Sequence, residues 1–246
     1  MHGVDGVLVL AAGLGERLKP ITENIPKPLI RIRDIPIIVF PLYLVVKSGF
    51  RRIIVNSHHL ADILENFLLD FGKKNSIDFV IIREEKLLGT GGTIKYVFEN
   101  FGFEKILVIN SDSVGDFDIP EFLNEAFQFD SIAHIMLYQD SSIGGIDLNL
   151  PSRYVNIKGE GRGGNYTFCG VHLVDRKIVN FLSQKRDIPL CIIRDGYIPA
   201  ISYGEKISAS IHTGLFSDAG TYERIEHIKK FPNHFFERIK NYFSLP

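Results

Sequence analysis

The stretch Gly6-Val7-Leu8-Val9-Leu10-Ala11-Ala12-Gly13-Leu14-Gly15-Glu16-Arg17-Leu18-Lys19-Pro20 decides the fold. Gly6–Leu10 is an unbroken apolar run, the pattern of a strand buried on both faces of a parallel sheet. It ends on small residues and glycines, so the strand feeds a loop whose backbone N–H groups can come close to an anion. Arg17, just beyond Gly15, supplies a charge for phosphate oxygens. A phosphate-cradling loop at the C-terminal edge of the first strand is the expectation.

Working outward, strand-like and helix-like segments alternate. A helix is expected over roughly Ile37–Ser48, with Pro36 in its first turn and Gly49 as its stop, followed by a strand at Arg52–Asn56. Ala61–Phe71 reads as a helix ending at Gly72, Ile77–Arg83 as a strand, Thr90–Asn100 as a helix and Lys105–Asn110 as a strand. This alternation implies βαβ crossovers and a mostly parallel sheet. After Asp118 the rhythm changes. Ser131–Tyr138, Arg153–Ile157, Tyr166–Val174 and Lys206–His212 read as mixed or antiparallel strands between glycine-rich loops. No repeat, low-complexity tract or Pro/Ser-rich linker marks a boundary, so the expectation is one domain, 1–246, with two lobes.

Composition narrows the class. At 246 residues, 45% apolar and 23% charged, the chain can bury a proper core without staples. The net charge of −1 and the scattered basic residues exclude the footprint of a nucleic-acid binder. Cys169 and Cys191 form no framework and read as core thiols in a reducing cytoplasm. Met1–Asp5 lacks the basic region of a signal peptide. The apolar stretch Ile35–Val46 contains Pro36 and Pro41 and is shorter than the ~20 residues of a membrane span, so it reads as a buried helix, with no membrane insertion.

Two glycine-loop readings fail here. The dinucleotide fingerprint wants a third small residue where Leu18 stands, and the second strand ends at Asn56 rather than at a ribose-binding acid. The P-loop wants Gly-Lys-Ser/Thr, which is missing. What remains resembles the sugar-phosphate nucleotidyltransferases. The resemblance rests on Leu10-Ala11-Ala12-Gly13, Gly15-Glu16-Arg17-Leu18 and Pro26-Lys27-Pro28. It continues through Asn56-Ser57-His58, Leu88-Gly89-Thr90-Gly91-Gly92, Asn110-Ser111-Asp112 and Phe216-Ser217-Asp218-Ala219-Gly220-Thr221.

That resemblance implies a Rossmann-like, glycosyltransferase-A-like α/β fold, with 1–118 as the nucleotide half and 119–246 as the acceptor half. It implies transfer of a nucleoside monophosphate from an NTP to a sugar 1-phosphate, with release of pyrophosphate. Asp112 and Asp218 would hold Mg²⁺, Arg17 would steady the departing β- and γ-phosphates, and Lys27 would contact the transferring phosphate. Leu10, Ala11, Ala12, Gly13, Gly15, Asn56, Gly89, Thr90 and Gly91 would bind nucleotide, and Asn110, Lys158, Asn165 and Gly170 the acceptor. The short bacterial members using UTP with N-acetylmuramate or hexose phosphates, and the short mannose-1-phosphate guanylyltransferases, are the most similar. A cytidylyltransferase acting on phosphocholine, or a nucleotide-binding regulatory subunit, would share much of the pattern. These residues decide neither the base, nor the sugar, nor whether the chain forms a homo-oligomer.

Blander roles compete for several of these residues. Asp112 could cap a turn beside Asp116 and Asp118, and Asp218 could cap a helix beginning near Thr221. Lys27 could be an exposed loop lysine stiffened by its prolines, and Thr90 a helix cap. His58 and His59 face different directions as neighbours and read as polar surface rather than a metal pair. On the acceptor side, the family's Glu-Lys-Pro-like triplet is replaced by Ile157-Lys158-Gly159-Glu160-Gly161, a departure that leaves Lys158 as the candidate phosphate contact.

Overall fold

A computed structural model describes residues 3–141, 144–158, 163–182 and 189–245. The fold is α/β, with a central mixed, mostly parallel sheet flanked by helices, the class expected from the sequence. Backbone contacts divide the chain into two compact units. The first comprises Val7–Leu87, Ile109–Phe117 and Gly214–Pro246; the second comprises Met1–Gly6, Leu88–Val108 and Asp118–Thr213.

In the first unit, the buried strand Gly6–Leu10 pairs in parallel with Arg52–Ser57, Leu8 opposite Ile54 and Val9 opposite Val55. Arg52–Ser57 pairs in parallel with Asp78–Arg83 along its whole length. Gly6–Leu10 and Arg52–Ser57 are buried on both faces, which is why their sequences are nearly continuous apolar runs, whereas Asp78–Arg83 buries only Ile82. The helix Val39–Lys47 is apolar almost all round and buried accordingly. Its Phe40 stacks on Phe235 and meets Phe236 edge-on, ring centroids 5.8 and 6.2 Å apart, from the helix Asn233–Tyr242. The helix Ala61–Asn75 buries Leu64, Leu68 and Phe71, one stripe at helical spacing.

The stretch Ile35–Val46 is not one buried helix. Ile35–Pro36 pairs antiparallel with Arg31–Ile32 through a tight turn at Arg33 and Asp34, both with positive φ (47° and 68°). The N–H groups of Ile37 and Ile38 then bond to the carbonyls of Ile30 and Pro28 at 2.9 Å, and the helix starts only at Val39.

In the second unit, Tyr166–Asp175 runs antiparallel to Ala133–Gln139, and Ile207–His212 runs parallel to that same strand. A smaller antiparallel pair joins Ile146–Leu148 to Val155–Ile157. The helix Gly89–Phe101 buries Gly91, Ile94, Val97 and Phe98 on one face. The helix Ile119–Ala126 escapes the sequence reading; Asp118 caps it by accepting from the Glu121 N–H at 2.9 Å. Cys169 is buried as expected, whereas Cys191 is only half-buried. Among the described residues no helix is long and apolar enough to cross a membrane.

Candidate active site

The glycine loop of the first unit is anchored from below. Asn56, only 3% exposed at the end of its strand, accepts from the Ala11 N–H at 2.6 Å and donates to the Glu84 carboxylate at 2.8 Å. The Ser111 N–H bonds to the Leu10 carbonyl at 2.9 Å, tying the end of the first strand to the start of the acidic loop. Buried polar groups of this kind are costly unless bonded, so together they fix where the loop departs. Asn56 therefore acts beneath the loop, as a brace of its backbone, and Glu84, which the sequence reading overlooked, belongs to the same brace.

Beyond Ala12 the chain opens. Gly13 is exposed, and among the described residues nothing beyond its chain neighbours stands within 4 Å of the place a Cβ would take. Gly15 adopts φ 66°, and Thr22, buried beside it, donates to its carbonyl at 2.9 Å. His59 bonds the Thr22 carbonyl at 2.6 Å, and His58 bonds the Glu84 carbonyl at 2.9 Å. The two histidines are thus not plain polar surface: each holds a loop that borders the site.

The charges gather around this loop. Arg17 lies exposed in the short turn Glu16–Leu18. Lys27 begins the turn Lys27–Leu29, and its ammonium pairs with the Asp112 carboxylate, both side chains largely screened from solvent at 14% and 22% exposure. Ser113–Gly115 pairs antiparallel with Phe216–Asp218, Ser113 opposite Asp218, and the Ala219 N–H bonds to the Asp112 carbonyl at 2.9 Å. Asp112 and Asp218 are therefore brought to the same end of one small ladder. Asn110, half-buried, ends the strand that leads to it.

Asp218 caps no helix; that role falls to Thr221, which accepts from the Arg224 N–H. The Asp218 carboxylate accepts from the Gly220 N–H at 3.0 Å and pairs with the Arg224 guanidinium. A Cβ at Gly220 would stand 2.4 Å from Asp218 Oδ1 and 2.9 Å from Arg17 Nη2, so the carboxylate and the Arg17 guanidinium close over this glycine. By contrast, Asp116 accepts from the Leu215 N–H at 2.7 Å and Asp118 caps its helix, so both have structural partners. Arg224 went unread in the sequence. The available signal was a cation in the first turn of a helix, where the backbone field favours an acid, six residues after Asp218.

Among the described residues no group of three or more His, Cys, Asp or Glu side chains could cage a metal ion. Two carboxylates on paired strand ends suit a different design, in which Mg²⁺ takes one or two protein carboxylates and completes its shell with phosphate oxygens and water. The open side of Gly13 and the cations nearby fit an anionic partner of that kind.

The remaining candidates lie in the second unit. Gly89 has φ 75° and packs so closely on the Leu190 backbone that a Cβ would stand 2.5 Å from its carbonyl oxygen. The Gly91 N–H bonds to that carbonyl at 2.8 Å, and Thr90 caps nothing; its hydroxyl accepts from the Ile192 N–H at 2.9 Å. Lys158 pairs with Asp147 at 2.5 Å, and its N–H reaches the Gly145 carbonyl at 2.8 Å. The Gly145 N–H bonds to the Tyr166 carbonyl at 3.1 Å, so Lys158 and Asn165 come together around Gly145. Gly170, φ 75°, sits where the pairing register shifts between Phe168 and His172. Gly159, Glu160 and Gly161 lie outside the described residues.

The nucleotidyl transferase family model matches residues 6–143. An N-acetylmuramate alpha-1-phosphate uridylyltransferase from Neisseria meningitidis serogroup B is 28% identical over 226 residues, 89% of this chain and 94% of that protein. A probable mannose-1-phosphate guanylyltransferase 3 from Oryza sativa subsp. japonica is 25% identical over 87% of this chain, which spans 60% of that protein's length. Among solved structures, HddC from Yersinia pseudotuberculosis complexed with GMP-PN superposes with a TM-score of 0.73 at 26% identity, covering 90% of this chain and 96% of that one.

Proposed function

This chain belongs to the nucleotidyl transferase family, and on that premise we propose that it transfers a nucleoside monophosphate from an NTP to a sugar 1-phosphate, releasing pyrophosphate. The observation that carries the proposal is the pairing of the Asp112 and Asp218 strand ends beside a glycine loop flanked by Arg17 and Lys27. The sugar-phosphate transferase names of the relatives support the acceptor class.

The attacking phosphate oxygen is already anionic, so the reaction needs no base to generate it. What it needs is a way to bring two like-charged phosphates into line, which is positioning plus charge neutralisation. Gly13 leaves its backbone open to the NTP phosphates, Arg17 offsets charge on the departing pyrophosphate, and Lys27 contacts the transferring phosphate. Asp112 and Asp218 are the residues that would hold Mg²⁺, which when bound supplies positive charge at the phosphate oxygens and orients them. Asn56 and Glu84 keep the loop in register from beneath.

The test is a matrix of ATP, GTP, CTP, UTP and dTTP against several hexose 1-phosphates, N-acetylmuramate 1-phosphate and phosphocholine, read by pyrophosphate release. Release with at least one sugar 1-phosphate is expected. Release with phosphocholine alone, or with no acceptor at all, overturns the proposal.

A further inference from the structure

Neither carboxylate of the first unit stands alone. Lys27 neutralises Asp112, and Arg224 neutralises Asp218. The Asp218 oxygens are divided between two partners: Oδ1 accepts from the Gly220 N–H at 3.0 Å, and Oδ2 accepts from Arg224 Nη1. Arg224 occupies the first turn of the helix Tyr222–Ile228, where the exposed N–H groups disfavour a cation; the carboxylate offsets that cost. Both members of the pair are 27% exposed, so this is neither a fully screened surface contact nor a sealed core pair.

A divalent cation at Asp218 Oδ2 would compete with the guanidinium that already sits there, because two positive groups at one oxygen repel each other. Binding of the ion through that oxygen would therefore weaken the hold of Asp218 on Arg224. Arg17 adds a second guanidinium on this side, its Nη2 2.9 Å from where a Cβ at Gly220 would stand. Arg17, Lys27 and Arg224 face the carboxylates of Asp112 and Asp218, and a divalent ion raises the local surplus of positive charge from one to three. A cation displaced in this way is satisfied best by phosphate oxygens, which a guanidinium matches in a planar fork.

We infer that Arg224 is a further phosphate-binding residue of this site, held on Asp218 until a divalent cation takes that carboxylate and then engaged by the phosphates that arrive with it. The inference rests on the nucleotidyl-transfer reading and adds to it an exchange of partners at Asp218. It makes the metal and Arg224 competitors in the absence of nucleotide and allies in its presence.

The experiment titrates Mn²⁺ calorimetrically into the nucleotide-free full chain, comparing wild type with Arg224→Gln, and then titrates inorganic tripolyphosphate at saturating Mn²⁺. Arg224→Gln is expected to bind Mn²⁺ about tenfold more tightly and tripolyphosphate about tenfold more weakly, the size of one charge-assisted hydrogen bond in each direction. Equal or weaker Mn²⁺ binding by the variant, or no Mn²⁺ binding by wild type, overturns the exchange. Unchanged tripolyphosphate affinity overturns the phosphate role. Should circular dichroism show Arg224→Gln unfolded, Arg224→Lys carries the test. Its point charge holds a carboxylate less well than the guanidinium fork, so Mn²⁺ binding tightens while most of the tripolyphosphate affinity remains, and unchanged Mn²⁺ affinity sinks the inference. Pyrophosphate release separates the two claims: release without these binding shifts refutes the role of Arg224 alone, and binding shifts without release refute the transfer reaction alone.

Discussion

The two units treat glycine and charge in opposite ways. In the first, the loop through Gly13 and Gly15 is held by polar groups beneath it, while its charged side chains pair with each other near the surface, where a ligand can compete for them. In the second, the Gly89–Gly91 corner is packed backbone against backbone on Leu190–Ile192, and the unusual polar groups, His134 and His172, are buried and uncharged. On the exchange inferred above, the first arrangement trades partners without disturbing the fold. The second cannot, because its polar groups have nowhere else to go.

That contrast is broken most directly at Asp112. Asp112→Asn is expected to lower turnover about 10³-fold, the scale of a lost metal-ion contribution, while the melting temperature barely moves. A large loss of melting temperature would show that Lys27 and Asp112 form a structural pair, and that the first unit uses charge as the second uses buried histidine. Next in size is Asn56→Leu. It removes the acceptor of the Ala11 N–H and a donor to Glu84, both buried, and is expected to cost about 2–3 kcal/mol in denaturant unfolding. If stability holds and only nucleotide binding falls, Asn56 contacts ligand directly and the loop has another anchor.

The same contrast explains what could be read in advance. The strands at Arg52–Ser57 and Lys105–Asn110 declared themselves because a strand buried on both faces must be apolar throughout, and that pattern is local; Asp78–Arg83 kept enough apolar residues to be read although only Ile82 in it is buried. The loop was legible because small residues after such a strand are needed for backbone to approach an anion. The turn at Arg33-Asp34 was not, because it adopts positive φ without the glycine or asparagine that usually announces it. The helix at Ile119–Ala126 had its signals, Asp118 as cap, Pro120 and Glu121, but only two turns of apolar pattern to support them. His59 could be judged an unsuitable metal ligand from its neighbour alone; its contact with the Thr22 carbonyl, 37 positions away, exists only once the strands are assembled. Glu84 stayed hidden because its partner is set by strand pairing rather than by spacing, whereas Arg224 lies only six residues from Asp218 and its local signal, a cation in the first turn of a helix, went unread.

Acid sharpens the comparison further. Burial pushes the His172 imidazole down to about 3, and burial followed by the charge of Arg153 pushes His134 down to about 4. His172 meets the Tyr197 hydroxyl at 2.5 Å through Nδ1, and among the described residues its buried Nε2 has no hydrogen-bond partner. The native state keeps both rings neutral, whereas the unfolded chain takes up a proton at each below about 6.5. The unfolded state then binds more protons, so stability is complete above that value and falls as pH drops toward 4. Each histidine contributes about 1.4 kcal/mol per pH unit. Urea unfolding of wild type and His172→Phe between pH 7 and 4.5 checks this: the variant's slope should be shallower by one histidine, whatever its absolute stability. Identical slopes would place the acid sensitivity elsewhere.

The smallest expected effect belongs to Lys158, the one second-unit candidate whose charge resembles those of the first unit. It pairs with Asp147 in the open, the two side chains 45% and 37% exposed, and an ion pair so hydrated contributes about 0.5 kcal/mol or less. Lys158→Ala should therefore leave the unfolding midpoint almost unchanged. A rise in the KM for sugar 1-phosphate, with that for NTP unaltered, would mean that Lys158 exchanges Asp147 for a phosphate, as Arg224 is inferred to exchange Asp218. No change in either KM would make it a surface pair, and the exchange of charged partners would then be confined to the unit that carries the glycine loop.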